Sequence, residues 1–178
     1  MSEFTYAVRG FLTIRTTGMH VPLNGSLAVH ADMGSGDFTG ELLLDPSTVS
    51  RTILGTRLFG ADVQVTAESP VIGRVDEAGR VSAAVTVDAV ITEAGVMGQR
   101  LISGGSCRTA GHAVVPLRSE PGFALERGGR LGGQYNRPSF AGCGWITPLV
   151  NRMLAAPDNA VLIDLIPAGG YPGALPGQ

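Results

Sequence analysis

In the stretch Val81-Ser82-Ala83-Ala84-Val85-Thr86-Val87-Asp88-Ala89-Val90-Ile91-Thr92, the residues Val81, Ala83, Val85, Val87, Ala89 and Ile91 share one parity, while Ser82, Thr86, Asp88 and Thr92 take the other. Side chains along a β-strand alternate between its two faces, so the spacing predicts a long strand with one buried side and one wet side. Strands of parallel sheets are covered on both faces and read as unbroken apolar runs. The alternation here therefore points to antiparallel pairing.

The same period recurs outward in both directions. From Thr5 to Arg15, Tyr6, Val8, Leu12 and Ile14 oppose Thr5, Arg9, Thr13 and Arg15; Leu27, Val29, Ala31 and Met33 oppose Ser26, His30 and Asp32; Val63, Val65 and Ala67 oppose Asp62, Gln64, Thr66 and Glu68. Further strands are expected over residues 113–117, 130–135 and 160–166. Asn24-Gly25, Gly34-Ser35-Gly36, Ala78-Gly79 and Gly128-Gly129 offer the positive φ that tight hairpins need. Two short helices are predicted where a capping side chain precedes proline: Asp45-Pro46, closed by Gly55, and Thr147-Pro148, ending before Pro157. In the second, Leu149, Val150, Met153 and Leu154 share a face, and Asn151 and Arg152 point to solvent. The expected architecture is mainly β: one domain over residues 1–167, a single antiparallel β barrel or curved β sandwich of about eight to ten strands with two short helices. A flexible Gly/Pro-rich tail is expected over 168–178.

Composition narrows the classes of function. The chain has 178 residues, enough to bury a stable core without a metal or many disulfides. Net charge is −2 and the thirteen basic residues, all arginine, form no cluster, which argues against nucleic acid and anionic membranes as partners. The absence of lysine reads as GC-rich coding. Mean hydropathy is +0.21, yet no apolar run approaches the ~20 residues of a membrane-spanning helix. The start, Met1-Ser2-Glu3-Phe4, carries neither the basic nor the apolar region of a signal peptide.

No catalytic motif is present. His20, His30 and His112 lack paired-ligand spacing, so neither a metal nor another cofactor is predicted. Ser35 and Ser106 sit beside glycines but outside the Gly-x-Ser-x-Gly context of a nucleophile. Asp32 to Asp37 reads as a hairpin tip rather than a calcium loop, and no carboxylate pair suits glycoside hydrolysis. The aromatic residues Tyr6, Phe11, Phe38, Phe59, Tyr135, Phe140 and Trp145 fit a hydrophobic pocket or simple core packing. Cys107 and Cys143 both lie among glycines at strand margins. A bridge between them would close a loop of about 37 residues, and two buried free thiols fit the residues equally well.

Cys107-Arg108-Thr109, the run Gly129 to Phe140 (GRLGGQYNRPSF) and the run Gly142 to Asn151 (GCGWITPLVN) resemble a family of mostly exported, β-rich actinobacterial domains, as does Phe38 to Pro46. The likeness spans most of the chain. It implies a Cys107–Cys143 disulfide and an extracytoplasmic or secreted setting, with the cytoplasm as the alternative, and it implies no activity.

Three functional readings follow. The first is a non-enzymatic binding protein holding a lipid or other hydrophobic small molecule in a β-barrel cavity, because Val, Ala and Gly on inward faces leave volume unfilled. Arg9, His30, Phe38, Arg108, Tyr135 and Trp145 are its candidate ligand-binding residues. The second is a barrel enzyme for cyclisation or isomerisation, with Arg9, His30, Arg108 and Tyr135 as its polar groups. The third is a structural or interaction module of the cell surface. A dry apolar cavity favours the carrier, an inward polar cluster the enzyme, and a filled core the module.

Overall fold

Twelve strands and one short helix follow one another along residues 1–169, the part of the chain that the computed structural model describes. They are β1 (Ser2–Ile14), β2 (Met19–Ala31), β3 (Asp37–Leu44), β4 (Ser47–Ile53), β5 (Thr56–Ala67), β6 (Val71–Val75), β7 (Val81–Val96), β8 (Gln99–Thr109), β9 (Ala113–Ser119), β10 (Gly129–Tyr135), β11 (Phe140–Ala141), a 3₁₀ turn (Gly144–Ile146) leading into α1 (Thr147–Leu154), and β12 (Asn159–Pro167). From residue 170 on, the tail expected over 168–178 lies outside the described residues.

Every pairing is antiparallel. The order β7-β6-β3-β2-β1-β12-β10-β9 returns to β7 through a β7–β9 pairing, which closes a barrel of eight strands. Closure removes the two free edges that an open sheet would expose. The inward parity is the one the alternation predicts: Tyr6, Val8, Leu12 and Ile14 are buried, as are Leu27, Val29, Ala31, Val63 and Val65, while Thr5, Arg9 and Arg15 are exposed. Met33 departs from it, because the chain has already entered the β2–β3 turn and the side chain is exposed.

β7 is longer than the barrel needs. Residues 81–87 pair with β6 and β9 inside the barrel, whereas residues 87–96 run beyond it and pair with β5 and β8. This second half carries a smaller sheet of order β4-β5-β7-β8-β11. β4 returns to the barrel: the Ser47 hydroxyl donates to the Pro22 carbonyl, and Arg51 Nη1 donates to the Thr17 carbonyl at 2.8 Å.

Two of the expected local elements, a helix and a turn, need correction. No helix forms over Pro46 to Leu54; Ser47–Ile53 is strand β4, joined to β5 by Leu54-Gly55, both at positive φ. Thr48, Val49, Thr52 and Ile53 are β-branched, and pairing with β5 outweighs the Asp-Pro helix-start signal. Nor is Asn24-Gly25 a turn. It lies inside β2, and the β1–β2 hairpin turns instead at residues 15–18. A Cβ on Gly25 would meet the Leu43 carbonyl oxygen at 2.0 Å, so this glycine permits a tight approach of β2 and β3.

The helix near Pro148 does form. Val150 and Leu154 are buried and Arg152 is exposed. Asn151, expected in solvent, instead accepts from the Phe140 backbone N–H (2.6 Å) and donates to the Phe140 carbonyl (3.1 Å), pinning α1 to β11. Cys107 of β8 and Cys143, just before the 3₁₀ turn, are joined by a disulfide with a Cα separation of 4.4 Å. No helix among the described residues is long and apolar enough to cross a membrane.

Three outcomes follow from this architecture. Replacing both cysteines by serine should keep the fold but lower unfolding free energy by about 2 to 4 kcal/mol in denaturant titrations, since the bond closes a long loop in the unfolded chain. At the β9–β10 closure, a Cβ on Gly133 would meet the Pro116 carbonyl oxygen at 1.9 Å, whereas one on Gly132 would meet nothing nearer than Leu162 Cδ1 at 3.5 Å. Gly133→Ala should therefore destabilise by about 2 to 3 kcal/mol and Gly132→Ala by less than about 1 kcal/mol.

The third concerns Tyr6, whose hydroxyl donates to the Leu125 carbonyl inside the barrel. Burial, aided by the Glu126 carboxylate, pushes this phenol from 10.0 up to about 12. The folded protein holds the proton more tightly than the unfolded chain does, so this stability is complete below pH 10 and lost as pH rises through about 12. Denaturation curves across that window should show the loss in the wild type and a smaller one in Tyr6→Phe.

Candidate functional site

The fork in β7 decides where the barrel interior meets polar groups. On one edge of β7, pairing passes from β6 at Ala84 to β5 at Val87; on the other it passes from β9 at Val87 to β8 at Val90. Each exchange leaves a short gap in the strand ladder, spanned by Glu68-Ser69-Pro70 on one side, where the Glu68 N–H still donates to the Thr86 carbonyl (2.8 Å), and by Ala110-Gly111-His112 on the other.

Inside the barrel at this level lies a cavity of about 60 Å³, walled by apolar side chains that include Val8, Leu44, Val85, Val115 and Val161. A second cavity of about 30 Å³ lies between Tyr6, Phe38, Phe123 and Leu131. Leu42, Leu117 and Ile163 line both and separate them. The first cavity is apolar except where Asp88, Thr109, Tyr135 and Arg137 reach it.

Arg137 follows β10 by two residues and is only 9% exposed. Its backbone N–H donates to the Ala156 carbonyl (3.3 Å) and its Nη2 donates to the Tyr135 hydroxyl (3.1 Å). Nη1 is buried with no hydrogen-bond partner, and none of the ion pairs among the described residues includes this guanidinium. Arginine stays protonated at any ordinary pH. An unpaired charge withdrawn from water typically costs about several kcal/mol.

A second buried donor lacks a partner on the same face. Asn159 stands opposite Tyr135 in the β10–β12 register and is fully buried. Its Oδ1 accepts from the Arg15 backbone N–H at 3.4 Å, and its Nδ2 has no partner. The Tyr135 hydroxyl, having accepted from Arg137, keeps its own proton to donate. Around Tyr135 the barrel therefore presents spare N–H and O–H groups and lacks acceptors.

Asp88 does not supply that acceptor. Its Oδ1 accepts from Thr109 Oγ1 (3.5 Å) and lies 2.8 Å from His112 Nδ1, while Thr109 Oγ1 accepts from the Ala89 N–H (3.2 Å). Glu68 joins Asp88 and His112, the three offering ligand atoms within 4.8 Å of one another across the fork. Two carboxylates and an imidazole suit a divalent metal by type. Glu68 and His112 are exposed, however, and His112 is already in direct contact with Asp88.

Of the residues singled out in the sequence, Phe38 and Tyr135 are buried in the barrel and Tyr135 lines the larger cavity. Arg9, His30, Arg108 and Trp145 are on the outer surface, with Trp145 80% exposed. Arg9 and His30 occupy outward parity on β1 and β2, as their alternation requires. His30 borders an open outer groove with Glu41 and Glu68, and Arg108 Nη2 donates to the Gly105 carbonyl at 3.2 Å. Arg137, Thr109 and Asn159 were not singled out. A signal for Arg137 existed, since Leu131, Gly133, Tyr135 and Arg137 share one parity. The Glu68–Asp88–His112 group had none, because its members are 20 and 24 residues apart and meet only through the fork.

Comparison of the chain with protein-family models, with curated proteins and with solved structures finds no match.

The unpaired guanidinium makes a prediction about the protein alone. Arg137→Met keeps an unbranched apolar stem and removes a buried charge, so it should leave unfolding free energy unchanged or raise it by about 1 kcal/mol or more. A loss above about 2 kcal/mol in denaturant titration would show that Arg137 is held for stability.

Proposed function

We propose that the protein is a non-enzymatic binding protein that encloses a hydrophobic small molecule in the lumen of its barrel. The observation that carries this reading is the unfilled apolar space at the fork, which has polar groups at one end only. Of the four polar groups that the enzyme reading names, Arg9, His30 and Arg108 are on the outer surface and Tyr135 alone lines the cavity, which favours the carrier over the enzyme. The unfilled space likewise favours it over a structural module.

The cavity is well below the roughly 300 to 1,000 Å³ of pockets that enclose drug-sized molecules. The occupant is accordingly slender, entering as a narrow chain or small group rather than as a fused ring system. The disulfide supports an extracytoplasmic setting, where such bonds persist.

Native mass spectrometry of protein purified without detergent or organic solvent tests the proposal. The expected result is a bound species that a denaturing spray removes. Protein free of any adduct, together with no measurable uptake of aliphatic probes on titration, would overturn it.

A further inference from the structure

We infer that the ligand is an aliphatic monocarboxylate whose carboxylate is held by Arg137 Nη1 and the Tyr135 O–H, with its chain running down the barrel past Leu42, Leu117 and Ile163. This rests on the reading of the lumen as a binding site and adds the chemistry of the head and the length of the tail.

The head follows from charge and from donor count. The buried guanidinium carries one positive charge with no carboxylate within ion-pair distance, and one of its terminal nitrogens has no acceptor. A carboxylate brings one negative charge and two acceptor oxygens, which matches one unpaired cation with a hydroxyl donor beside it. No second arginine lines the cavity to balance a dianion such as a phosphate monoester. A neutral head, such as an alcohol, would leave the guanidinium charge uncompensated. Asp88 reaches the same end of the cavity, but its Oδ1 is engaged by His112 and Thr109.

The tail follows from the two cavities. At roughly 10 to 15 Å³ per water-sized group, about 60 Å³ holds four to six groups and about 30 Å³ holds two or three. The three side chains between the cavities are aliphatic, and their movement joins the spaces end to end. A chain of about six to nine carbons fills the joined space.

Titration calorimetry with octanoate and with octan-1-ol, on the wild type, Arg137→Met and Tyr135→Phe, tests the assignment. The wild type should bind octanoate about 10-fold or more tightly than octan-1-ol, Arg137→Met should lose that preference while still binding the alcohol, and Tyr135→Phe should weaken octanoate by a few-fold. Comparing the two ligands on wild-type protein needs no variant, so the assignment is exposed even if Arg137→Met fails to fold. If acid and alcohol bind the wild type equally, or folded Arg137→Met keeps full octanoate affinity, the head assignment falls and the apolar lumen stands. If neither ligand binds, the lumen reading falls with it.

Discussion

The one strand that belongs to two sheets, β7, is the constraint on which the rest of this structure depends. Its first half closes the barrel between β6 and β9, and its second half leaves the barrel to pair with β5 and β8. A strand in a continuous sheet has one partner on each edge. β7 changes both partners within a few residues, and strand pairing is interrupted on each edge, between Ala84 and Val87 on one and between Val87 and Val90 on the other. The gaps at Glu68-Ser69-Pro70 and Ala110-Gly111-His112 are the consequence, and the polar groups near the larger cavity gather around them.

The smaller sheet depends on the same strand for its position. β4 is tied back to the β1–β2 end of the barrel through Ser47 and Arg51, so the extension folds over the barrel instead of projecting from it. On the other edge, β8 receives the two-residue β11, and the disulfide and Asn151 hold the 3₁₀ turn and α1 against it. Ile91 on β7, Val63 on β5, Cys107 on β8 and Val150 and Leu154 on α1 are all essentially inaccessible to solvent and belong to the same buried cluster as the barrel interior. The Cys107–Cys143 bond thus fastens the element that sequence-local forces hold least well, an eight-residue helix too short to persist alone.

Local patterns in the sequence reached the strands and their inward faces, because burial on one side writes itself as period two. They also reached the helix at Pro148. They failed where tertiary pairing overrode a local signal: Asp45-Pro46 resembles a helix start, yet Ser47 to Ile53 pairs with β5, and Asn24-Gly25 resembles a turn, yet it sits in mid-strand against Leu43 and Leu44. The partner change in β7 leaves no mark at all, since Val81 to Ile91 reads as one uniform strand whichever neighbours it has. The site depended on that unseen feature. Tyr135 was within reach because it is an inward aromatic residue, whereas Arg137 lies past the end of its strand, where shared parity with Tyr135 hints at burial and says nothing of the missing partner that marks the site.

The central claim is that a ligand occupies the barrel interior next to Arg137. Intermolecular nuclear Overhauser effects between protonated octanoate and the methyl groups of the protein test it most directly. The account predicts contacts from the chain to Val85, Val115 and Val161, with the carbon next to the carboxylate nearest to Tyr135. Contacts confined to outward methyl groups such as those of Ile72 and Val114, with none to the interior valines, would contradict it.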